Sequence, residues 1–533
     1  MVNLAKMDGE DRDEIHHRLG YKKLLDTCEL VKKDRYEWVW VDTCCIDKQS
    51  SAELSEAINS MYWWYRNAQI CYAYLHDVHG SSFPTKRDNE VYYNSNGWPE
   101  WFAHGWTLQE MIAPQDVRFF NADWKFIGNK KTLAYTLTRI TGVPKSILRD
   151  GLSRTRPCIA QIMSWAAGQT TTWVEDQAYS LMGLLDMNMP MSYREGKKAF
   201  HRLQLEIIHT SNDQSIFVWG QTSPRVWTGS ILTDDPCFFE GCSDMELMDY
   251  NEFIQSIKVE FPGEELPSID QDHFGVFPIM NCGIQIWMLL RPHPDSKSLF
   301  QAWLPCCDGP FDSPETINLA LSNSNYYRYT SVEPSVSKGL LEFRQVYLRY
   351  QDTPDYDVTF KIDDTAIIKN SFACCYTHPM KLAENKFTLT GTDPLCIRTY
   401  AEIHGNGRFS VVFRQYLGQD WVYLINNPPN DFSWHERERL MLRWPEHVKA
   451  TADVPSWDGG SGQIWVHHIH LSGSTWIIQS SCVVWKGSRI GLQIEGLQHT
   501  SVYNGLDEWR NLDVEAGEFS CVYISITLWA GNQ

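Results

Sequence analysis

Two short apolar runs on either side of one amphipathic helix constrain the fold of this chain more than any other feature. The first run, Trp38-Val-Trp-Val41, lies within residues 36–41, and the second is Ile70-Cys-Tyr-Ala-Tyr-Leu75. Unbroken apolar runs of this length are typical of strands buried on both faces of a parallel sheet. Between them, Ser50-Ser-Ala-Glu53 has the pattern of a capping box, and apolar residues follow at helical spacing. The pattern predicts a strand–helix–strand unit with parallel strands and a right-handed crossover.

Aromatic and acidic residues are concentrated in the segment from Trp98 to Pro114. This segment contains three tryptophans, and Glu110 is the only carboxylate between Gly105 and Ala113. Indole rings around a carboxyl group lower the local polarity and raise its pKa, which suits a general acid or base. The alternative is that Glu110 stabilises the start of a helix through the helix dipole. The segment therefore contains either a site residue or a helix-terminal charge.

Three blocks of sequence carry a resemblance to a known family. The first is Trp-Val-Trp-Val-Asp-Thr-Cys-Cys-Ile-Asp-Lys at 38–48, and the second is Gly-Trp-Thr-Leu-Gln-Glu-Met-Ile-Ala-Pro at 105–114. The third combines Met-Ser-Trp-Ala-Ala at 163–167 with Glu-Asp-Gln-Ala-Tyr at 175–179. In order and spacing these blocks resemble the fungal HET (heterokaryon incompatibility) domain over roughly residues 18–220.

The resemblance implies an α/β fold in the first part of the chain. It implies that residues 1–220 form a TIR/flavodoxin-like parallel sheet with a helical extension. The strand that usually opens such domains has no counterpart before Gly20, so we expect the sheet to lack that strand. After Gly220 the pattern changes to short alternating segments separated by turn residues. This pattern predicts a β-rich, sandwich-like region over residues 221–533, with one or two subdomains.

The resemblance also implies a chemistry for Glu110. TIR enzymes use a glutamate in a Trp-Cys-x-x-Glu segment to cleave NAD between nicotinamide and ribose, and Trp106-Thr-Leu-Gln-Glu110 has the same spacing. A carboxylate beside a ribose stabilises an oxocarbenium-like transition state. NAD is therefore a candidate substrate, and no cofactor motif is found: the sequence has neither a P-loop nor a Gly-x-Gly-x-x-Gly after a strand.

Two aspartates are candidate catalytic residues together with Glu110. Asp42 and Asp47 follow the first apolar run, and ligands of α/β folds bind at the carboxyl ends of parallel strands. We expect both aspartates to lie near Glu110, although Asp47 is equally suited to cap the next helix. The candidate substrate-binding residues are aromatic or acidic side chains of the same blocks: Trp40, Trp101, Trp106 and Glu175. Trp106 also fits a core position, and Glu175 also fits a helix cap.

Charge and composition exclude several classes of function. The net charge of −19 argues against nucleic-acid binding, and no apolar run is long enough to span a membrane. The acidic N-terminus does not resemble a signal peptide, so we expect a cytoplasmic protein. The 15 cysteines include no Cys-x-x-Cys pair, so we expect thiols rather than a zinc site. His467-His-Ile-His470 has no obvious third ligand and fits an exposed strand edge better than a metal site.

Three functions fit these observations. The first is a heterokaryon-incompatibility protein for self/non-self recognition and cell death, with a TIR-like NAD glycohydrolase site and a protein partner. The second is a HET fold used as an enzyme of secondary metabolism that acts on a hydrophobic small molecule. The third is an interaction module without catalysis.

Overall fold

The structure of the protein is a computed structural model with side chains. It describes residues 19–152, 156–220, 227–281, 283–292, 299–309, 313–322, 324–330, 340–351, 358–363, 368, 371–378, 386–389, 395–404, 408–416, 419–426, 475–483, 489–495 and 521–530. The predicted helix at 434–443, the predicted strand at 464–469 and His467–His470 lie outside these residues.

The N-terminal part of the described chain begins with helices. These are α1 (Leu19–Lys33), α2 (Asp42–Cys45) and α3 (Ser51–Asn67). Helix α3 begins where the capping pattern predicts, because the N–H of Glu53 donates to Ser50 Oγ at 3.3 Å. Its predicted apolar stripe is buried and includes Met61 and Tyr62. Local sequence signals therefore determine this helix.

A three-stranded sheet follows in the order β1-β2-β3. Its strands are β1 (Cys71–Tyr74), β2 (Val117–Phe120) and β3 (Phe126–Asn129). Strands β1 and β2 are parallel, and β2 and β3 are antiparallel. The α/β character of the N-terminal region is confirmed, and the TIR/flavodoxin-like sheet stays a prediction.

The prediction of a buried strand at residues 36–41 is wrong. The structure describes all of these residues, and none of them is in a strand. The side chain of Trp38 is 87% exposed, whereas the Trp40 ring packs edge-on against Trp64 and Tyr65 of α3. An apolar run of four residues also fits an extended segment that packs on a helix, and periodicity does not separate the two cases.

The predicted helical extension is present. It comprises α4 (Thr107–Ile112), α5 (Ala134–Thr141), α6 (Lys145–Asp150), α7 (Ile159–Ala166), α8 (Asp176–Leu185) and α9 (Lys198–Thr210). Helices α3 and α8 pack closely at Gly183, where an added Cβ would lie 2.2 Å from Tyr62 Cβ. A glycine at this position therefore allows the two helices to approach.

The chain beyond Gly220 is β-rich, as predicted. Its first part contains one helix, α10 (Tyr250–Glu260), and short strands that build a seven-stranded sheet and a two-stranded sheet. The strands are β4 (Trp227–Gly229), β5 (Met245–Leu247), β6 (Ile279–Met280), β7 (Gly283–Pro292), β8 (Leu299–Trp303), β9 (Cys306–Asp308), β10 (Thr316–Ser322), β11 (Asn325–Thr330) and β12 (Glu342–Leu348). The predicted strand at 274–278 is wrong, because strand structure begins at Ile279.

The remaining described strands form two antiparallel sheets. Their orders are β15-β13-β21-β19-β20 and β14-β16-β17-β18. The strands are β13 (Val358–Asp363), β14 (Phe372–His378), β15 (Lys386–Leu389), β16 (Leu395–Glu402), β17 (Arg408–Tyr416), β18 (Gln419–Asn426), β19 (Thr475–Val483), β20 (Arg489–Glu495) and β21 (Cys521–Ala530). A sandwich arrangement of these sheets stays a prediction.

The helical and β-rich regions share buried side chains around the predicted boundary. One continuous cluster of buried apolar residues extends from Ile46 to Leu348. The Trp219 indole donates to the carbonyl of Ile231 at 2.8 Å, and the Arg328 guanidinium donates to the carbonyl of Trp219 at 2.8 Å. The division into residues 1–220 and 221–533 stays a prediction, but it does not separate two hydrophobic cores.

Candidate functional site

The block that contains Glu110 folds as a 3-10 turn, Glu100–Ala103, followed by helix α4. The N–H of Gly105 donates to the carbonyl of Thr170 at 3.0 Å. A Cβ at Gly105 would lie 2.6 Å from Thr171 Cγ2, which is too close for two carbon atoms. Glycine therefore precedes Trp106 because the segment at 170–171 passes directly against the backbone there.

The residues between Trp106 and Glu110 hold α4 in place. The hydroxyl of Thr107 lies 2.7 Å from the carbonyl oxygens of both Trp101 and His104, so it ties the 3-10 turn to the helix. Leu108 is buried in the main core, and the Gln109 amide donates to the Met61 sulfur at 3.4 Å. These contacts fix the direction in which Glu110 leaves the helix.

Glu110 is held by side chains from several elements. The phenol of Tyr65 on α3 and the indole of Trp101 both hydrogen-bond its carboxyl group. The charges of Asp42, at the start of α2, and Lys23, on α1, also act on it. The residue as a whole is partly exposed.

This environment raises the pKa of Glu110 from its usual 4.5 to about 7. Burial is the largest cause, because it disfavours the charged form, and the negative charge of Asp42 adds to it. The hydrogen bonds from Tyr65 and Trp101 and the charge of Lys23 act in the opposite direction. At neutral pH both protonation states are populated, which is the condition for a carboxyl group that takes up and releases protons.

The negative charge of Asp42 acts on Glu110, and Asp47 has hydrogen bonds of its own. Asp47 Oδ1 accepts the N–H of Gln49 at 3.0 Å, and the N–H of Asp47 donates to Glu53 Oε1 at 3.0 Å. These bonds shape the turn that leads into α3, but the N-cap of the helix is Ser50 rather than Asp47. A catalytic role for Asp42 or Asp47 stays a prediction.

Two of the candidate tryptophans lie near Glu110. Trp101 bonds its carboxyl group directly. Trp40 meets the Tyr65 ring edge-on, with ring centroids 5.4 Å apart and planes at 87°. Trp40 therefore supports the residue that bonds Glu110, and both tryptophans are partly exposed. Their predicted substrate contacts stay predictions.

A second buried carboxyl group has the same kind of surroundings. Asp176, the first residue of α8, is 6% exposed and is hydrogen-bonded by the Trp106 indole. The Tyr193 phenol donates to Asp176 Oδ1 at 3.0 Å, and Lys48 acts on it by its charge. Burial raises the pKa of Asp176 although these three neighbours oppose the shift. Each carboxyl group thus has one indole, one phenol and one lysine as neighbours.

Glu175 has a structural setting. Its Oε1 accepts the N–H groups of Arg194 at 2.6 Å and Gly196 at 2.9 Å. Burial acts to raise the pKa of Glu175, but backbone N–H groups outweigh burial and lower it. Glu175 therefore fixes the loop that carries Tyr193 beside Asp176. Its predicted contact with substrate stays a prediction.

The sequence places Tyr65 on the apolar stripe of α3 and does not select Tyr193. For Asp176 it leaves two roles open, closing the site or capping its helix, and favours the cap. One available signal was the four-residue spacing of Trp106 and Glu110, which places both on the same side of α4. The partners of these two residues lie on other elements, so their identity required the tertiary structure.

The described part of the chain contains neither a metal-binding cluster nor a membrane-spanning helix. Within it, no group of three or more His, Cys, Asp or Glu side chains is arranged to hold a metal ion. Among the same residues, no helix combines the length and apolar character required to cross a bilayer.

Comparisons with known proteins agree with the resemblance of the first block, at 38–48. A family model for the heterokaryon incompatibility protein (HET) matches residues 10–98. The vegetative incompatibility protein HET-E-1 of Podospora anserina is 39% identical over 254 residues, which is 43% of this chain and 18% of that protein. The chain thus spans less than a fifth of the length of this curated relative. No solved structure matches the chain.

Residues 10–98 are therefore similar to the HET domain, and 254 residues of the chain are similar to a fungal vegetative incompatibility protein. The residues matched by the family model include Trp40, Asp42 and Asp47. Trp106 and Glu110 lie beyond the matched residues, so their roles are argued from the geometry above.

Proposed function

We propose that this HET-domain protein acts in vegetative incompatibility and that its N-terminal region hydrolyses NAD at the nicotinamide–ribose bond. The relative from Podospora anserina is a vegetative incompatibility protein, which supports the first part. The observation that carries the second part is the Glu110 carboxyl group, with a pKa of about 7, at a partly exposed position next to Asp42.

The proposed reaction consumes one water molecule. The bond between ribose C1 and the nicotinamide nitrogen breaks, its electron pair leaves with nicotinamide, and nicotinamide departs as a neutral molecule. Water attacks C1 and gives a proton to the Glu110 carboxylate, and ADP-ribose is the other product. The negative charges of Glu110 and Asp42 stabilise the oxocarbenium-like transition state. Trp101 and Trp106 offer aromatic surfaces to the planar rings of the substrate.

The test is release of nicotinamide from NAD by the purified chain. We expect Glu110→Gln, which keeps the size of the side chain but cannot accept the proton, to lower the rate about 10²–10⁴-fold. Glu206→Gln is the matched control, because Glu206 is exposed on α9. Two results would rule out the NAD reaction at this residue. One is that the wild-type protein releases no nicotinamide, and the other is that a folded Glu110→Gln variant keeps full activity.

A growth assay separates catalysis from recognition. Expression of the wild-type chain in the cytoplasm of a filamentous fungus is expected to arrest growth, and Glu110→Gln is expected to restore growth. Arrest by both proteins would instead favour an interaction module that acts through a protein partner.

A second candidate function is supported by the aromatic side chains near Glu110 and Asp176. Trp40, Trp101 and Trp106 are partly exposed and could bind a hydrophobic small molecule, as an enzyme of secondary metabolism would require. This function would be established instead if the wild-type protein leaves NAD intact but converts such a compound, and if that reaction requires Glu110.

A further inference from the structure

Two cysteines that are adjacent in the sequence lie side by side in the structure. Cys44 and Cys45 both belong to the short helix α2, and both residues are partly exposed. Successive side chains of a helix are about 100° apart around its axis, whereas those of a strand point to opposite faces. The two sulfur atoms are 4.0 Å apart. The helical turn therefore brings two free thiols into contact.

Two other adjacent pairs of cysteines lie on strands and differ from this one. Cys306 and Cys307 on β9 are buried. Cys374 and Cys375 on β14 are exposed, but each of their thiols donates to a backbone carbonyl of its own, at 3.6 and 3.5 Å. Partial exposure combined with a sulfur–sulfur contact therefore distinguishes Cys44 and Cys45 from the other adjacent pairs in the part of the chain that the structure describes.

The backbone of Val41 gives the two thiols different roles. Its N–H donates to Cys45 Sγ at 3.4 Å, whereas Cys44 Sγ donates to its carbonyl at 3.7 Å. A hydrogen bond donated to a sulfur favours the ionised form of that sulfur, and a thiol that donates keeps its proton. Burial raises the pKa of Cys44 to about 11, and the charge of Cys45 adds to the shift. Cys45 is therefore the nucleophile of the pair, and Cys44 is the thiol that stays protonated.

We propose that Cys44 and Cys45 form a modification site that hydrogen peroxide closes to a disulfide and that a small dithiol reopens. The Cys45 thiolate attacks one peroxide oxygen, the O–O bond breaks, and Cys45 becomes a sulfenic acid. Hydroxide leaves and takes up the proton that the Cys45 thiol released. The Cys44 sulfur then displaces the sulfenic oxygen, which departs with the Cys44 proton as water. Two thiols are oxidised to one disulfide, and one peroxide is reduced to two water molecules.

Closure of this disulfide changes the backbone of α2. Consecutive Cα atoms are about 3.8 Å apart, which is shorter than the separation of about 4.4–6.8 Å in most disulfides. The turn in which the N–H groups of Cys44 and Cys45 donate to the Val41 carbonyl, at 3.2 and 2.9 Å, therefore has to rearrange. A strained disulfide is readily reduced, as a reversible site requires. Asp42 begins α2, so closure also moves the carboxylate whose charge acts on Glu110.

The experiment is mass spectrometry of the full chain after treatment with hydrogen peroxide and alkylation of the remaining thiols. Trypsin cleaves after Arg35 and Lys48 and releases residues 36–48 as one peptide that contains both cysteines. We expect this peptide to lose two hydrogen atoms and to resist alkylation, and dithiothreitol to restore both thiols. The exposed pair Cys374 and Cys375 is the matched control, and it should form no disulfide between its two sulfurs.

Serine variants test the two roles. In Cys44→Ser the second thiol is absent, so the sulfenic acid of Cys45 should persist and react with dimedone. In Cys45→Ser the nucleophile is absent, so Cys44 should give no dimedone adduct under the same conditions. Thermal unfolding shows whether each variant is folded.

Three results would overturn the proposal. The first is a wild-type peptide 36–48 that is alkylated at both thiols after peroxide treatment. The second is an equal yield of disulfide within the pair Cys374 and Cys375, and the third is a dimedone adduct on Cys44 in folded Cys45→Ser.

These measurements do not depend on the NAD reaction, so the site stands or fails independently of it. An effect of closure on turnover does rest on the proposed function. If nicotinamide is released, we expect peroxide to lower the rate reversibly in wild type, because Asp42 moves, and to leave the rate of a Cys44→Ser/Cys45→Ser double variant unchanged. A disulfide without any nicotinamide release by wild type would support the modification site and reject the proposed reaction.

Discussion

The close packing of α3 and α8 at Gly183 gives a prediction whose size follows from the geometry. An alanine Cβ at position 183 would lie 2.2 Å from Tyr62 Cβ and 2.9 Å from Tyr62 Cγ. Non-bonded carbon atoms prefer separations of about 3.5–4.0 Å. Because Tyr62 Cβ is attached to the backbone, a rotamer change does not relieve the clash, and α3 has to move away from α8.

Two effects of opposite sign determine the net change in stability. Overpacking of a core contact costs about 1–3 kcal/mol, and a shortfall of more than 1 Å places this substitution at the upper end. Alanine is more favourable than glycine inside a helix by about 1 kcal/mol. We therefore expect Gly183→Ala to lower the free energy of unfolding by about 2 kcal/mol.

The assay is thermal unfolding of purified Gly183→Ala, with Gly168→Ala as the control. A Cβ at Gly168 would have no heavy atom within 4 Å, so the control changes the unfolded chain in the same way without a clash. We expect the unfolding midpoint to fall by roughly 3 °C in Gly183→Ala only. Equal unfolding midpoints for the two variants would refute the tight contact.

Three further predictions concern charges and the predicted domain boundary. The hydrogen bond from His201 is the main cause that lowers the pKa of Asp234 from 3.8 to about 2. Asp234→Asn should therefore lower the free energy of unfolding by up to about 2 kcal/mol above pH 4. Unfolding measurements should show this difference vanish as the pH falls toward 2. Asp42→Asn removes a negative charge and should lower the pKa of Glu110, measured by infrared titration from the carbonyl band of its protonated carboxyl group. An unchanged or higher pKa would contradict the effect of the Asp42 charge on Glu110. Residues 1–220 expressed alone should lack a cooperative unfolding transition, because their buried side chains continue into the β-rich region; cooperative unfolding like that of the full chain would contradict this expectation.

The sequence was most informative where the structure depends on residues that are close together along the chain. The capping pattern at Ser50 and the spacing behind it located α3. The alternating segments located eight of the eighteen described strands after Gly220. The run at 36–41 was misassigned because its apolar residues pack on α3 through Trp40, while Trp38 is exposed. Whether a short apolar run joins a sheet depends on a partner strand, and the sequence does not identify that partner.

The site shows the same division between local and tertiary information. Glu110 could be selected because it is a carboxylate among indoles. Asp42 was expected near it at the carboxyl end of a strand at 36–41, and the structure contains no strand there. Tyr65 and Tyr193 could not be selected, since each reaches its carboxyl group from another helix or loop. Asp47 and Glu175 had the right composition for a site, but their oxygens accept backbone N–H groups of nearby turns.

The two tryptophans of the Glu110 block have a common physical explanation. A carboxyl group that loses water must gain hydrogen-bond donors, because an unsatisfied buried charge is costly. An indole is suited to this task, since its N–H donates and it brings no competing acceptor. Trp101 donates to Glu110 and Trp106 donates to Asp176, so one short segment supplies a donor to each carboxyl group. Replacing either indole by phenylalanine would keep the apolar surface but remove the hydrogen-bond donor. The pKa of Glu110 should then rise further in Trp101→Phe, and the pKa of Asp176 in Trp106→Phe.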